Sequence, residues 1–265
     1  MLYQNKLVQY GLSQLHGQLS IIYHAQSINV AIQDNSFTNE EQKKMKLIEE
    51  IKSFATDSLG MNKNDNYTKV YNQHQKPILL VVSACEPYSF NAYHWSFPFL
   101  GNMPYKGFFN FKEARREYSR VRNLGLDAEM YSPAGWSTLG WFNDPIQSEM
   151  LHQSCGSLAN TILHELTHGT LFVKNDINFN ENLASFIGDK GTENFLETKY
   201  GKFSKELKDY ENKKKDNNVF RDYILKGTET LDSLYKSFTS ETTIEEKQKK
   251  NIIGNMLLSY IMKPK

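Results

Sequence analysis

The chain has 265 residues, of which 39% are hydrophobic and 13% aromatic, so it is long enough and apolar enough to bury a core. Its 31 basic and 30 acidic residues leave a charge of +1, which excludes an overall field that would draw it to nucleic acid or to an acidic membrane. The two cysteines, Cys85 and Cys155, lack metal-ligand spacing and exclude a disulfide-rich framework, although one bridge remains allowed.

The first half of the chain changes from helical to strand periodicity. Apolar residues recur at helical spacing in segments 7–22 and 45–54 and predict two N-terminal helices. After the polar break at 62–66, the segments NYTKVYNQ and KPILLVVSA predict strands, since their period is close to 2. Segment 86–111 is rich in aromatics and broken by proline and glycine, so it predicts irregular strands and turns, with PYKGFFNF as the clearest strand.

The second half returns to helical periodicity. FKEARREYSRVRNLG predicts a surface helix ending at Gly125, LDAEMYS a return strand, and WSTLGWFNDP an extended or looped segment that Pro145 limits. SLANTILHELTHGTLF predicts a helix with Ser157 as its N-cap, and ENLASFIGDKGTENFLETKYG predicts a second helix after the short connection NDINFN. The lysine-rich run at 211–218 predicts a solvated helix end or loop, because blocks of like charge seldom pack.

No internal repeat or low-complexity linker divides the sequence, so these elements predict one α+β domain over residues 1–265. We expect it to comprise N-terminal helices (1–60), a mixed sheet (66–150), a helix pair (157–200) and a helical C-terminal part (201–265).

No segment is apolar over the roughly 20 residues that a membrane-spanning helix requires. The stretch from Leu19 to Ile32 is broken by polar residues, and the run from Ile252 to Met262 is too short. The first residues also lack the basic region, apolar core and cleavage site of a signal peptide. We therefore expect a soluble protein, cytoplasmic by default, or a periplasmic or membrane-anchored one if an N-terminal anchor has been removed.

The segment TILHELTHGT, residues 161–170, carries the pattern H-E-x-x-H. On a helix, His164 and His168 lie about 40° apart around the axis and about 6 Å apart along it, so both imidazoles can bind one ion. Glu165 is offset by about 100° and can reach a metal-bound water, whose proton it can take and pass to a leaving amine. The pattern predicts a metal-dependent hydrolase. The alternative is an ordinary polar helix, because the pattern arises by chance in roughly one such chain per hundred.

A third metal ligand is predicted at Glu181, in the segment NFNENLASF. The connection after the first helix is short enough to fold Glu181 back against the histidine pair. Two imidazoles and one carboxylate leave the fourth position of tetrahedral zinc open for water, as a catalytic site requires. The alternative is an acidic residue near a helix N-terminus, stabilised by the helix dipole without any metal.

The pair HELTH and NENLASF resembles the gluzincin metallopeptidases, in which the third zinc ligand lies in a similar Asn-Glu segment of the next helix; the interval is shorter here. The wider run, including ACEPYSFNAYHWSFPFLGNMPYKGFF and WSTLGWFNDPI, is similar over about residues 5–200 to a bacterial family described as predicted aminopeptidases. The resemblance implies a zincin-like fold, one zinc ion per chain and peptide substrates. Members of that family often carry an N-terminal lipoprotein or membrane anchor.

The resemblance implies roles only for residues that match its motifs. The implied zinc ligands are His164, His168 and Glu181. The implied general base is Glu165. Asn180 and Ser185 flank Glu181 in the matching motif and are candidates to orient its carboxylate, while Asp189 is a candidate to hold the second N–H of a ligand histidine. For these three residues an ordinary helix-surface role stays an alternative.

Two further requirements of a peptidase are met only by weak candidates. A donor must stabilise the negative charge that develops on the substrate carbonyl, and we select Tyr105, with Tyr223 and Tyr235 as rivals. An exopeptidase must also bind the free α-ammonium through a carboxylate, for which Glu86 and Asp144 are candidates outside any recognisable motif.

The sequence therefore predicts zinc-dependent hydrolysis of peptide bonds, with an aminopeptidase as the preferred activity. The alternatives are a gluzincin-type endopeptidase, a zinc hydrolase acting on other substrates, and a non-catalytic metal-containing binding or scaffold protein. The intact Glu165 favours catalysis, because a purely structural zinc site usually closes its fourth position with protein. We expect a peptide as the partner and no nucleic acid; the oligomeric state is left open.

Overall fold

Helices make up most of the described chain, and the strands form three small sheets. The computed structural model describes residues 2–33, 36–97, 101–133, 143–174, 176–239 and 241–250. The helices are α1 (Leu2–His24), α2 (Ile28–Gln33), α3 (Asn39–Asp57), α4 (Phe111–Asn123), α5 (Cys155–Thr170), α6 (Ile177–Tyr200), α7 (Lys205–Lys236) and α8 (Ile244–Lys250), with a 3-10 helix at Ser148–His152. The strands are β1 (Gln26–Ser27), β2 (Lys69–Tyr71), β3 (Leu80–Cys85), β4 (Trp95–Phe97), β5 (Gly101–Met103), β6 (Tyr105–Phe108), β7 (Asp127–Tyr131) and β8 (Ile146–Gln147).

The chain divides into two compact units. The first comprises Met1–Ile78 and Ala134–Lys213, and the second comprises Leu79–Pro133 and Lys214–Lys265. The single domain expected over residues 1–265 stays a prediction, whereas the mixed α+β class is confirmed. No helix within the described ranges combines the length and the apolar character that crossing a bilayer requires. The WSTLGWF part of the predicted extended segment lies outside the described residues.

The core of the first unit lies between α3 and α5. Met45, Ile48 and Ile51 of α3 are fully buried in the same cluster as Leu158 and Ile162 of α5. A capping box fixes the start of α3, because the Thr38 hydroxyl accepts from the Glu41 amide while the Glu41 carboxylate accepts from the Thr38 amide. This packing holds one face of α5 and leaves its opposite face for polar residues.

The predicted zinc helix begins one turn earlier than expected. Ser154 is the N-cap of α5, and its hydroxyl accepts a hydrogen bond from the Ser157 amide at 3.2 Å. The choice of Ser157 as the cap was therefore wrong, because either serine satisfies the residue preference and only the backbone decides between them. The next helix also begins earlier than predicted, since Asp176 caps α6 at Ile177 and leaves only residues 171–176 as the connection.

The predicted mixed sheet over residues 66–150 is replaced in the described residues by three separate sheets. In the first unit, β2 pairs with β1 in antiparallel and with β8 in parallel orientation, and Val70 and Ile146 join the core. In the second unit, β6, β3 and β7 form an antiparallel sheet, and β4 and β5 form a two-stranded one. The sheets stay small because strands of two to six residues are interrupted by turns.

The structure differs from the sequence-based predictions at two further places, one in the C-terminal part of the chain and one in the N-terminal part. The lysine-rich run at 211–218 lies within the long helix α7 rather than at a helix end or in a loop, although its lysines are largely solvent-exposed as predicted. The short helix α2 between the two predicted N-terminal helices was not anticipated, because six residues are too few to show a clear period.

Candidate metal centre

Helix α6 folds back onto α5 directly after the short connection at 171–176. Leu158, Ile162 and Leu166 bury one side of α5 in the core, whereas His164 and His168 are only partly buried. The start of α6 then brings Glu181 alongside the two imidazoles. Helical periodicity within α5 and a short connection to α6 are therefore enough to collect the three predicted ligands.

The donor atoms of these three residues are mutually close. His164 Nε2 lies 3.3 Å from His168 Nε2 and 3.4 Å from Glu181 Oε2, and His168 Nε2 lies 3.6 Å from Glu181 Oε1. Ligands at about 2.0–2.1 Å from a tetrahedral zinc ion are separated from one another by about 3.3–3.4 Å. The separation of the two Nε2 atoms matches this value, and each imidazole has one of the two Glu181 oxygens at a similar distance, so the three residues can surround one small divalent cation.

The chemistry of the donor set also fits a cation. The two Nε2 atoms face each other, and a metal ion requires both to be unprotonated with the proton on Nδ1. Ligand histidines usually donate that Nδ1 proton to a carboxylate or carbonyl. The buried Nδ1 of His168 has no such partner among the described residues, which is a departure from the usual pattern.

Glu165 lies next to His164 on the same helix and is partly buried. Burial raises the pKa of its carboxyl, and the charges of Asp144 and Glu181 raise it further, while the charges of His164 and His168 oppose the shift. A carboxyl whose pKa is raised above its ordinary value is better suited to take a proton and later to return it. This environment is consistent with the predicted role of Glu165 as a general base.

Tyr67 and Asp144 both interact electrostatically with Glu165. The Tyr67 amide donates to the Asp144 carbonyl at 2.8 Å, and the Asn66 side chain accepts from the Asp144 amide at 3.0 Å. Burial, followed by the charges of Glu165 and Asp144, raises the pKa of Tyr67 well above its ordinary value, so its hydroxyl stays protonated. Sequence reasoning missed Tyr67, since nothing in NDNYTKVY distinguishes it from a core tyrosine.

Asn180 holds the connection between the two helices. Its side chain is 2% exposed; its Oδ1 accepts from the Val173 amide and its Nδ2 donates to the Val173 carbonyl, both at 2.8 Å. It therefore fixes the backbone that leads into Glu181, while its predicted contact with the Glu181 carboxylate stays a prediction. Ser185 is exposed on α6, one turn after Glu181.

Asp189 belongs to a polar cluster that joins three helices. Its Oδ1 accepts from Asn160 Nδ2 of α5 at 3.0 Å and from Tyr210 Oη of α7 at 3.1 Å. The predicted hydrogen bond to a ligand histidine stays a prediction. Asn160 and Tyr210 were not anticipated, because neither carries a recognisable motif.

The remaining candidates belong to the second unit. Tyr105 lies in β6 opposite Ser83 of β3 and is 45% exposed. Glu86 is exposed and accepts a hydrogen bond from Asn91. Tyr223 is an exposed residue of α7, and Tyr235 packs in a cluster with other aromatic rings, among them Tyr88, Phe90 and Phe238. The roles suggested for these residues stay predictions.

A family model described as "Putative aminopeptidase" matches residues 9–263. The chain belongs to this family. Family membership confirms the predicted aminopeptidase resemblance, extends it over the C-terminal helices and suggests peptidase activity. No curated protein and no solved structure matches the chain.

Proposed function

We propose that the protein is a zinc-dependent peptidase that removes residues from the amino end of peptides. The observation that carries the proposal is the convergence of His164, His168 and Glu181 beside Glu165: the two Nε2 atoms lie 3.3 Å apart, and the Glu181 carboxylate places one oxygen 3.4 Å from the first and its other oxygen 3.6 Å from the second. An ordinary polar helix gives no reason for two imidazoles and a carboxylate from the next helix to converge with this spacing.

His164, His168 and Glu181 would hold the zinc ion, which when bound lowers the pKa of a water molecule and polarises the substrate carbonyl. Glu165 takes a proton from the attacking water and returns it to the nitrogen of the leaving amine. The partly buried setting of Glu165 supports this exchange, because a carboxylate with an ordinary low pKa would be a weak proton donor in the second step.

The family description supports cleavage at the amino end. Recognition of a free α-ammonium requires a carboxylate near the reacting bond. Asp144 is the better of the two candidates, since it lies in the first unit and its charge acts on Glu165. Glu86 belongs to the second unit.

The proposal is tested by measuring zinc content and peptide cleavage together on the full chain. Wild type is expected to bind about one zinc ion per chain and to produce ladders of peptides shortened from the amino end, read by mass spectrometry. Glu165→Gln should retain zinc, and its activity should fall by about 10²–10⁴-fold, the usual contribution of a general base. Full activity of Glu165→Gln, or no cleavage by zinc-loaded wild type, would overturn the mechanism.

N-acetylated peptides provide the control for direction. They lack the free ammonium, so an aminopeptidase leaves them intact while an endopeptidase cleaves them. Cleavage of acetylated and free peptides at equal rates would reject the aminopeptidase assignment and keep the metallopeptidase one. A wild type that binds zinc but cleaves no peptide would instead indicate a metal-containing binding protein.

A further inference from the structure

Gly188 lies where α6 passes against α5. A Cβ atom at this position would lie 3.2 Å from the Asn160 carbonyl oxygen and 3.3 Å from His164 Cβ. Favourable contacts between carbon atoms lie at about 3.5–4.0 Å, so any side chain here would crowd α5. A glycine inside a helix is less favourable than an alanine, and here it allows the two helices to approach closely beside a predicted metal ligand.

Tyr210 joins α7 to the same pair of helices. Its side chain, 8% exposed, lies against Gly156 of α5, where an added Cβ would come within 2.7–2.9 Å of it. Its hydroxyl donates to Asp189 Oδ1 at 3.1 Å, and Asn160 Nδ2 donates both to that oxygen and to the Tyr210 hydroxyl at 3.0 Å. The pKa of Tyr210 is raised by burial and by the charge of Asp189, so the hydroxyl remains a donor.

These contacts lie close to the predicted metal ligands along both helices. Asn160 precedes His164 by one helical turn, and Asp189 directly follows Gly188. Glu181 precedes Gly188 by seven residues, which is about two turns, so both residues lie on similar sides of α6. A displacement of α6 at Gly188 is therefore transmitted to the backbone that carries Glu181.

The size of that displacement can be compared with what a metal site tolerates. Relieving a contact of 3.2–3.3 Å requires neighbouring atoms to move by a few tenths of an ångström. Bond lengths in a functional metal site stay within about 0.2 Å of their ideal values. The required displacement is similar to the tolerated change in metal–ligand distance. A single methyl group at residue 188 is therefore enough to weaken the binding of one ion by the three ligands.

We propose that Gly188 and Tyr210 are positioning residues of the metal centre. Gly188 sets the spacing between α5 and α6, and the Tyr210 hydroxyl, through Asp189 and Asn160, fixes their relative position. This inference rests on the proposed zinc site and goes beyond it, because neither residue is a ligand or a general base. It predicts that zinc affinity depends on Gly188, two helical turns beyond Glu181, and on Tyr210, which belongs to a third helix.

The test is zinc affinity, measured on the full chain by competition with a colorimetric chelator. Tyr210→Phe keeps the ring that fills the slot at Gly156 and removes only the hydroxyl, whereas Gly188→Ala adds one methyl group at the helix contact. Each is expected to weaken zinc binding about tenfold, the lower end of what outer partners of metal ligands contribute. The matched controls, expected to leave affinity unchanged, are Tyr23→Phe, an exposed tyrosine, and Gly11→Ala, where an added Cβ meets nothing within 4 Å.

Two further measurements separate positioning from simple destabilisation. Thermal unfolding of the zinc-free variants identifies conditions in which each is folded, and affinities are compared only there. Asp189→Ala combined with Tyr210→Phe should weaken zinc binding less than the product of the single effects, because both changes remove the same hydrogen bond. If Gly188→Ala fails to fold, Tyr210→Phe and the double variant still decide.

Wild-type zinc affinity in both folded single variants would overturn the inference and leave the proposed function standing. Reduced unfolding temperature with unchanged affinity would have the same meaning, since it shows a structural role alone. If wild type itself binds no zinc, both the inference and the proposed function fail.

Discussion

The Glu181 carboxylate lies 3.4 Å from the His164 imidazole, although the two residues belong to different helices. The contact follows from a connection of six residues, 171–176, whose backbone is held by the Asn180 side chain. A longer or looser connection would not hold Glu181 beside the two imidazoles. The helix pair thus brings the three proposed ligands together within one short segment of the chain.

Replacing a ligand should release the metal. Loss of a residue that hydrogen-bonds to a metal ligand typically lowers metal affinity by about 10–100-fold. Glu181→Ala and His164→Ala are each expected to lower zinc affinity by more than this, because they remove a direct bond to the metal. Elemental analysis after dialysis measures the loss. Glu197→Ala, which removes an exposed carboxylate from the same helix α6, is the matched control. Equal zinc content in Glu181→Ala and Glu197→Ala would exclude Glu181 as a ligand.

Removing the Asn180 amide should destabilise the first unit. Asn180→Ala leaves the amide and carbonyl of Val173 without their side-chain partner, and each lost part-buried hydrogen bond costs about 0.5–1.5 kcal/mol. Urea unfolding of the zinc-free protein measures the change in the free energy of unfolding. Asn182→Ala, an exposed asparagine two residues later, should change it by less than about 0.5 kcal/mol. A similar effect of the two substitutions would argue against the Asn180 contacts.

The raised pKa of Glu165 predicts a pH dependence of stability. Because the folded state binds this proton more tightly than the unfolded state, its contribution is fully present below the ordinary pKa of 4.5 and is lost as pH rises through the raised value. Glu165→Gln cannot ionise, so the free energy of unfolding of this variant should fall less than that of wild type over this range. The measurement is urea unfolding of both zinc-free proteins between about pH 4 and pH 8. Parallel curves would show that the pKa of Glu165 is not raised in the folded protein.

A second pH effect, of opposite sign, is expected in the second unit. Burial tends to raise the pKa of Glu117, but hydrogen bonds from Arg120 and Trp95 outweigh it and lower the pKa. Stability from this carboxylate is therefore present above its ordinary pKa and is lost as pH falls through the lowered value. Glu117→Gln should reduce this loss on acidification, as followed by Trp fluorescence during denaturation, whereas Glu129→Gln at an exposed site should not.

Local patterns predicted much of the fold and of the candidate site. The sequence FKEARREYSRVRNLG was expected to form a helix before Gly125, and α4 ends at Asn123 with Gly125 at a φ of 82°, a conformation that suits glycine. Likewise, the spacing of His164 and His168 needed only the period of an α-helix. Both predictions succeed because a few adjacent residues determine the outcome.

Contacts between distant residues could not be predicted in this way. The Tyr210 hydrogen bond to Asn160 spans 50 positions, and the Asp144 hydrogen bond to Asn66 spans 78. Likewise, β2 pairs with β8 across most of the predicted sheet region. Such pairs depend on how whole helices and strands pack against one another. Neither the local periodicity of the sequence nor a short motif indicates which distant residues will meet.

The unequal exposure of the three donor residues has a practical consequence for handling the protein. The Glu181 side chain is 57% exposed, whereas each histidine side chain is 22% exposed. A small competing chelator such as EDTA would therefore approach from the carboxylate side and could extract an ion without opening the core beneath α5. On the proposed mechanism, purification in chelator-containing buffers would yield folded but inactive protein that regains peptidase activity on adding zinc.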